Sequence, residues 1–215
     1  MKKFASVIVV LILLVAKAGY SQQPLPKGLT DEEKKVYDEF IHNPNSINFT
    51  SPPAAPPRTP AEWEEAQGVL ITWAGYSSEL REIVKKAVEA VTVYIICSDP
   101  SDVQSYLSNG GVDLDNVVMV QAPFNSVWVR DYGPQSVYLE NGDLAFIDWL
   151  YNRPYRPDDN NIPSFMAGYM DVPYYEIGGD DGQLIATGGN FMSDGHGTGF
   201  SSKLILSENP SYSEA

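Results

Sequence analysis

Apolar runs alternate with helical patterns of apolar and polar residues from about residue 68 onward. The runs Gly68–Trp73 and Thr92–Cys97 are largely apolar or β-branched, so both are predicted as buried strands. Between them, apolar residues recur three and four positions apart, which predicts an amphipathic helix capped by Ser77 or Ser78. The apolar face of this helix comprises Leu80, Ile83, Val84, Ala87, Val88 and Val91. The pattern therefore predicts a strand–helix–strand unit.

The following segment continues this alternation and then changes to short strands. A helix is predicted from Pro100 to the Gly110-Gly111 pair, and a strand is predicted at Val117–Val120. Asn141-Gly142 is a strong turn signal that predicts a hairpin. The hairpin strands are Gln135–Leu139 and Leu144–Leu150, and further short strands are predicted at Tyr174–Ile177, Leu184–Ala186 and Lys203–Leu206. The expected fold class is a mixed α/β domain.

Residues 22–59 are predicted to form a short helix and a proline-rich linker ahead of the main domain, residues 60–215. Thr30 and Glu33 have the spacing of a capping box, which predicts a helix through about His42. An extended connector is favoured by the prolines Pro52, Pro53, Pro56, Pro57 and Pro60. The main domain is therefore expected to begin near Pro60 or Trp63.

Residues 1–21 have the pattern of a cleaved secretory signal. Lys2 and Lys3 precede the apolar run Phe4–Val15, and small residues follow at Ala16-Lys17-Ala18. The run is too short to cross a hydrocarbon core of roughly 30 Å, so no stable membrane insertion is expected after cleavage. The sequence therefore predicts a secreted, periplasmic or cell-surface protein.

Composition narrows the possible ligands and partners. The formal net charge is −14, which disfavours nucleic acid as a partner because acidic proteins repel phosphate backbones. Cys97 is the single cysteine, so neither an internal disulfide nor a cysteine-rich zinc site is possible. No metal and no cofactor is predicted, and the pattern carries no prediction of an oligomeric state.

The segment Trp128–Pro134 is the first candidate for chemistry. It is predicted as an aromatic and β-branched strand that ends in a Gly-Pro turn, with Arg130 and Asp131 at the strand end. Asp131 could bind a guanidinium through two parallel hydrogen bonds, and Trp128 could cover the flat cation. The alternative is a structural turn with an internal Arg130–Asp131 pair.

Two later segments carry further candidates. The loop from Tyr151 to Asn160 contains Arg153 and Arg156, which could hold a substrate carboxylate, although taken alone the loop is more typical of a solvated surface. The run Thr187–Gly199 is rich in glycine, which permits close backbone approach. It matches neither a phosphate loop nor a dinucleotide fingerprint.

Taken together and in this order, the motifs resemble a known family. W-x-R-D-x-G-P, the later N-R-P loop and G-G-N-F-x-x-D-G-x-G-T are similar to agmatine deiminases and bacterial (Porphyromonas-type) peptidylarginine deiminases. The opening Pro60–Gly68, followed by Ile71-Thr72-Trp73, also resembles the start of that family. The resemblance covers roughly residues 60–210.

The resemblance implies a fold, a reaction and site residues. The fold would be an incomplete five-fold pseudo-symmetric α/β propeller, the guanidine-modifying or pentein-like fold. The reaction would be attack of a cysteine thiolate on a guanidinium carbon, loss of ammonia and hydrolysis of the covalent intermediate. Asp131 matches a guanidinium-binding carboxylate and Trp128 the aromatic residue beside it. Arg153, and less directly Arg156, match arginines that hold the carboxylate of a peptidyl-arginine substrate.

The chain also departs from the family pattern. The His-x-Asp motif and the late nucleophilic cysteine of the family do not occur in it, since its histidines are His42 and His196. His196 is expected to be a loop residue, and Cys97 a buried structural thiol. We therefore expect a fragment that is inactive alone, and citrulline formation by the purified 215-residue chain would contradict this.

Two substrates and one non-enzymatic function stay open at the level of sequence. The signal pattern and the two loop arginines favour peptidyl-arginine, whereas agmatine, the precursor of N-carbamoylputrescine in putrescine synthesis, is the alternative. An exported ligand-binding module is the third possibility. Calcium binding by Asp158, Asp159, Asp180 and Asp181 would fit that module, but solvated turn acids are the preferred interpretation because no EF-hand spacing is present.

Overall fold

A computed structural model describes residues 24–43, 50–179 and 182–212. The predicted signal segment at residues 1–21 lies outside the described residues, as do Asp180 and Asp181. In chain order the elements are α1 (Asp31–His42), β1 (Gly68–Thr72), α2 (Ser77–Ala87), β2 (Thr92–Cys97), α3 (Pro100–Asn109), β3 (Val117–Gln121), α4 (Val129–Tyr132), β4 (Gln135–Tyr138), β5 (Leu144–Asp148), β6 (Leu150–Tyr151), α5 (Pro157–Asn160), α6 (Ile162–Met170), β7 (Tyr174–Glu176), β8 (Gly178–Gly179), β9 (Gly182–Gln183), β10 (Ile185–Ala186), a 3-10 turn (Gly188–Asn190), β11 (Phe191–Ser193), β12 (Gly199–Ser201) and α7 (Leu204–Glu208).

The predicted strand–helix–strand units form a three-stranded parallel sheet. Its order is β1-β2-β3, and Ile95 in the central strand pairs with Ile71 on one side and Met119 on the other. Helices α2 and α3 bury Val84 and Leu107 against this sheet, which completes the first apolar core. Burial of these apolar side chains is the main force that holds the layers together.

The ends of the two helices differ in how closely they follow the sequence signals. Asp99 caps α3 by accepting hydrogen bonds from the backbone nitrogens of Ser101 and Asp102, with Pro100 in the first turn, as the pattern predicts. The predicted serine cap of α2 is wrong. Ser77 is already helical, and Tyr76 precedes it in the left-handed region with φ 43°.

The predicted hairpin across Asn141-Gly142 is confirmed and forms part of a second sheet. Strands β4 and β5 pair antiparallel, β7 adds to β5 in parallel, and Gly142 has φ 86°, which suits the turn. The second strand is shorter than predicted, because strand pairing is interrupted at Trp149 and the remainder forms the separate strand β6. Phe146 and Met166 of this half join a second apolar core behind the sheet.

Two segments predicted as strands are helical. The segment Trp128–Pro134 forms the single turn α4, in which Gly133 N donates to Val129 O. The segment Lys203–Leu206 leads into α7 instead of forming a strand. Both segments are too short for periodicity to separate a strand from a helical turn, so tertiary contacts decide.

The amino-terminal helix and the linker contact the main domain. The capping box of Thr30 and Glu33 is formed, as predicted. Arg58 forms an antiparallel bridge with Tyr138 at the edge of the second sheet. Within the described ranges no sheet closes on itself, and no helix has both the length and the apolar character needed to cross a membrane.

Candidate functional site

Asp131 lies in α4, directly after the loop of residues 122–128. The residue is 4% exposed, and its Oδ1 accepts a 3.0 Å hydrogen bond from Thr187 Oγ1. None of the ion pairs among the described residues involves Asp131. A buried carboxylate without a cation is energetically unfavourable, so this position suits a cationic ligand.

Tyr132 anchors α4 to the first sheet. Its ring is buried, and its hydroxyl donates to Ser126 O at 2.7 Å and lies 2.7 Å from Thr72 Oγ1. Thr72 ends β1, so this contact fixes the turn that carries Asp131 at the carboxyl end of a parallel strand. Burial raises the pKa of the Tyr132 hydroxyl, which therefore stays protonated as a structural group.

The glycine-rich run reaches α4 through its first two glycines. A Cβ atom on Gly189 would overlap Asp131 Oδ1, and one on Gly188 would overlap Arg130 O. Only glycine permits both approaches, because any other residue places a carbon where these oxygens lie. The run thus explains why Thr187 can donate to the carboxylate of Asp131.

Trp128 and Arg130 both precede Asp131 in the sequence, and their side chains bind other partners. Trp128 is half-buried, and its Nε1 donates to Leu25 O at 2.7 Å. Arg130 is exposed and pairs with Glu62. The alternative of an internal Arg130–Asp131 pair is therefore wrong, and the charge of Asp131 is left for another partner.

Asp159 holds the loop that leads to α4. It is fully buried, and its carboxylate accepts from the backbone nitrogens of Asn125 and Ser126 and from Ser126 Oγ. Burial raises the pKa of Asp159, while these hydrogen bonds oppose the rise. The expectation of a solvated turn acid is therefore wrong for Asp159. In the sequence, Pro157-Asp158-Asp159 indicates the start of a helix, but it does not indicate that Asp159 binds Asn125 and Ser126.

Arg156 lies in the predicted arginine loop but is completely buried. Its Nε donates to Glu33 Oε1 at 2.8 Å and its Nη2 to Glu33 Oε2 at 3.1 Å. Nη2 also donates to the carbonyl oxygens of Pro26 and Gly28. The interpretation of this loop as a solvated surface is wrong here, because Arg156 forms a buried ion pair with α1.

Arg153 contacts the same amino-terminal segment without pairing with a carboxylate. Its Nε and Nη2 donate to Lys27 O at 3.1 and 2.7 Å, and its Nη1 donates to the Asn152 side-chain oxygen at 2.7 Å. The guanidinium also lies over the ring of Tyr151, 5.8 Å from its centroid. The role of Arg153 and Arg156 toward a substrate stays a prediction.

Cys97 and His196 lie where a nucleophile and a proton carrier are not expected. Cys97 is free and buried at the end of β2, and burial raises the pKa of its thiol. His196 is exposed in the turn between β11 and β12. In the part of the chain that the structure describes, no group of three His, Cys, Asp or Glu residues could hold a metal ion.

A cavity of about 590 Å³ adjoins the other side of α4. Its walls include Val129, Arg130 and Gly188, together with Leu70 from β1 and Met166 from α6. Its lining is largely apolar and does not include the Asp131 carboxylate. The cavity therefore does not contain the carboxylate that suits a cationic ligand.

Solved deiminase structures share this arrangement of elements. The agmatine deiminase of Enterococcus faecalis matches with a TM-score of 0.62 at 23% identity, covering 74% of this chain and 47% of that one. The agmatine deiminase of C. jejuni matches with a TM-score of 0.56 at 25% identity, covering 71% and 48%. The α/β fold is thus that of guanidine deiminases.

Sequence comparison identifies the family. The agmatine deiminase of Pseudomonas aeruginosa is 26% identical over 192 residues, which are 78% of this chain and 50% of the relative. The family model of the Porphyromonas-type peptidyl-arginine deiminase matches residues 58–215. The chain belongs to this family, as its motifs predicted, and it spans about half the length of the curated relatives it matches.

Proposed function

We propose that the full-length protein hydrolyses a guanidino group to a ureido group and ammonia. In this reaction water supplies the oxygen of the product, and the carbon–nitrogen bond to one terminal nitrogen breaks. Asp131 would bind the guanidinium of the substrate through charge-assisted hydrogen bonds. The thiolate nucleophile and the acid–base histidine would come from outside the motifs present in these 215 residues.

The observation that carries this proposal is the environment of Asp131. The carboxylate is buried, oriented by Thr187 and closely approached by Gly189, yet it pairs with no cation among the described residues. A planar guanidinium would supply the missing charge and can form two parallel hydrogen bonds with one carboxylate. Membership in a deiminase family supports this interpretation of the site.

Agmatine is the favoured substrate class, that is, a guanidine without a nearby carboxylate. The relative from Pseudomonas aeruginosa and the solved structures from Enterococcus faecalis and C. jejuni are named as agmatine deiminases. Both loop arginines already engage the amino-terminal segment of the chain. Peptidyl-arginine is the second candidate, supported by the name of the family model and by the presence of Arg153.

Turnover of the two substrates distinguishes these candidates. Full-length protein would be assayed for ureido product and ammonia with agmatine and with a dipeptide that ends in arginine. We expect kcat/KM for agmatine to be at least about tenfold higher, since about 1.4 kcal/mol of differential binding gives this ratio. A preference for the dipeptide would favour the second candidate, and ammonia from neither would refute the proposed function.

We also propose that the full-length protein completes a five-unit propeller of which this chain forms the first part. The three-stranded parallel sheet and the mixed β4-β5-β7 sheet would be two of its units. An experimental structure of the full-length protein tests this, and an open arrangement without five units around one axis would contradict it.

A further inference from the structure

The segment Pro24–His42, called the strap from here on, lies across the side chains that the motifs predict for substrate binding. Leu25 O accepts from Trp128 Nε1 at 2.7 Å, and Lys27 O accepts from Arg153 Nη2 at 2.7 Å. Pro26 O accepts from Arg156 Nη2 at 2.9 Å. Three consecutive carbonyl oxygens of the strap therefore meet three predicted substrate contacts.

The strap also places a carboxylate on Arg156. Glu33 is 2% exposed, and its two oxygens meet Nε and Nη2 of Arg156 at 2.8 and 3.1 Å. Thr30 N donates to Glu33 Oε2 at 2.7 Å, so the capping box orients the same carboxylate. This two-point contact is the geometry with which an arginine binds the carboxylate of a ligand.

The fit of the strap on these arginines is incomplete. Arg156 Nη1 and the Tyr151 hydroxyl are buried and have no hydrogen-bond partner within the described ranges. Arg153 donates to neutral oxygens and forms no ion pair among the described residues. Native structures rarely leave buried polar groups unpaired, so these groups indicate a site that can hold a more complete anionic ligand.

Contacts through Tyr151 connect this site to Asp131. The ring of Tyr151 lies 5.5 Å from that of Tyr132, the residue after Asp131, and the guanidinium of Arg153 lies 5.8 Å from its centroid. The charges of Arg156 and Asp131 both act on the pKa of the Tyr151 hydroxyl, which burial raises to about 12. Tyr132 and Tyr151 therefore link the turn that carries Asp131 to the arginines under the strap.

We propose that the strap occupies the position where a carboxylate on the substrate would bind Arg153 and Arg156, and so restricts the site to guanidines without that carboxylate. This inference rests on the proposed deiminase function and adds the cause of its substrate preference. Glu33 takes the place of the substrate carboxylate, and the carbonyls of Leu25, Pro26 and Lys27 complete the occupation. Weakening the strap should therefore admit arginine derivatives.

Glu33→Gln in the full-length protein tests the proposal. Glutamine can keep the capping box but removes the charge that pairs with Arg156, so acetyl-arginine could supply its own carboxylate in place of Glu33. We expect kcat/KM for acetyl-arginine relative to agmatine to rise at least tenfold. The matched control is Glu32→Gln, which removes the same charge from an exposed residue whose ion pair among the described residues is with Lys35. The control should leave the ratio within twofold, and an unchanged ratio in Glu33→Gln would overturn the proposal.

Hydrogen exchange gives a second readout that does not depend on turnover. Acetyl-arginine at millimolar concentration should accelerate amide exchange in α1 of Glu33→Gln at least tenfold, because the ligand displaces the strap, whereas agmatine should not. Equal exchange with both ligands would contradict occupation of this site by the strap. If the unmodified protein turns over neither guanidine, the proposed function fails, but the exchange result still decides the role of the strap.

Discussion

Gly189 shows how much of the candidate site depends on a residue without a side chain. A Cβ atom at this position would overlap the carboxylate oxygen of Asp131 that Thr187 also contacts. The overlap is with a carboxylate that is buried and fixed by a hydrogen bond, so it cannot simply move toward solvent. The position of Asp131 is therefore set by the glycine-rich run as well as by α4.

Gly189→Ala is expected to displace Asp131 and impair binding of the guanidinium. A displacement of about 1 Å in a binding group costs on the order of 100-fold in kcat/KM, and overpacking of this kind costs about 1–3 kcal/mol in the free energy of unfolding. Gly168→Ala in α6 is the matched control, because a Cβ there meets no atom within 4 Å. Wild-type kcat/KM for agmatine in Gly189→Ala would show that the close approach is unimportant.

Local pattern and long-range contacts differ in what they reveal about single residues. Trp128 and Asp131 are identifiable from sequence because a short motif surrounds them. The pairing of Arg156 with Glu33 joins residues 123 positions apart, and nothing in the local sequence of either indicates the other. The sequence of an arginine-containing loop does not indicate whether its arginines are solvated or buried. The burial of Arg156 is therefore evident only from the folded structure.

Strands β5 and β7 bring two acidic side chains together at the scale of the element. Asp148 and Glu176 are register partners in parallel strands, and the Tyr174 hydroxyl lies 2.6 Å from Asp148 and 3.3 Å from Glu176. Burial raises the pKa of Asp148 to about 7, and the charge of Glu176 acts in the same direction. The folded protein therefore binds a proton at Asp148 that the unfolded chain has released above about pH 4.

Asp148→Asn should change how stability depends on pH. Because the folded-state pKa is raised, the stabilising effect of the protonated carboxyl is present below pH 4 and is lost as pH rises toward 7. The variant lacks this loss. Its free energy of unfolding should gain on the wild type by up to on the order of 4 kcal/mol between pH 4 and pH 8, measured by urea unfolding. Asp113→Asn, in an exposed turn, should show no such gain, and a pH-independent difference for Asp148→Asn would contradict this explanation.

The long alternation of strands and helices was predicted correctly, as were the short strands at β7 and β10, whereas two other short segments were assigned wrongly. The alternation through β1, α2, β2, α3 and β3 is long enough for helix and strand periods to be distinguished. The two short runs that became α4 and α7 are too brief for this distinction, and their strong β propensity was overridden by packing. Tyr132 illustrates such packing, because in α4 its buried hydroxyl lies 2.7 Å from both Thr72 Oγ1 and Ser126 O.

At the scale of the whole molecule, the amino-terminal residues are joined to the main domain by polar contacts. Tyr37 donates to Glu208 Oε1 at 2.6 Å, and Asn152 donates to the same oxygen, so α1, the arginine loop and α7 meet at one buried carboxylate. Burial raises the pKa of Glu208, and these hydrogen bonds oppose the rise. These contacts hold the strap against the arginine loop in the folded protein.

Steady-state turnover of agmatine by Asp131→Asn in the full-length protein tests whether Asp131 binds the guanidinium of a deiminase substrate. Asparagine keeps the size of the side chain but removes the charge, and loss of a charged hydrogen-bonded partner in a buried site costs about 3–5 kcal/mol. We expect kcat/KM to fall at least 100-fold. Asp171→Asn should retain wild-type values, since Asp171 is exposed with φ 53°, a conformation that asparagine also adopts. A folded Asp131→Asn protein with kcat/KM within threefold of the wild type would show that Asp131 does not bind the guanidinium.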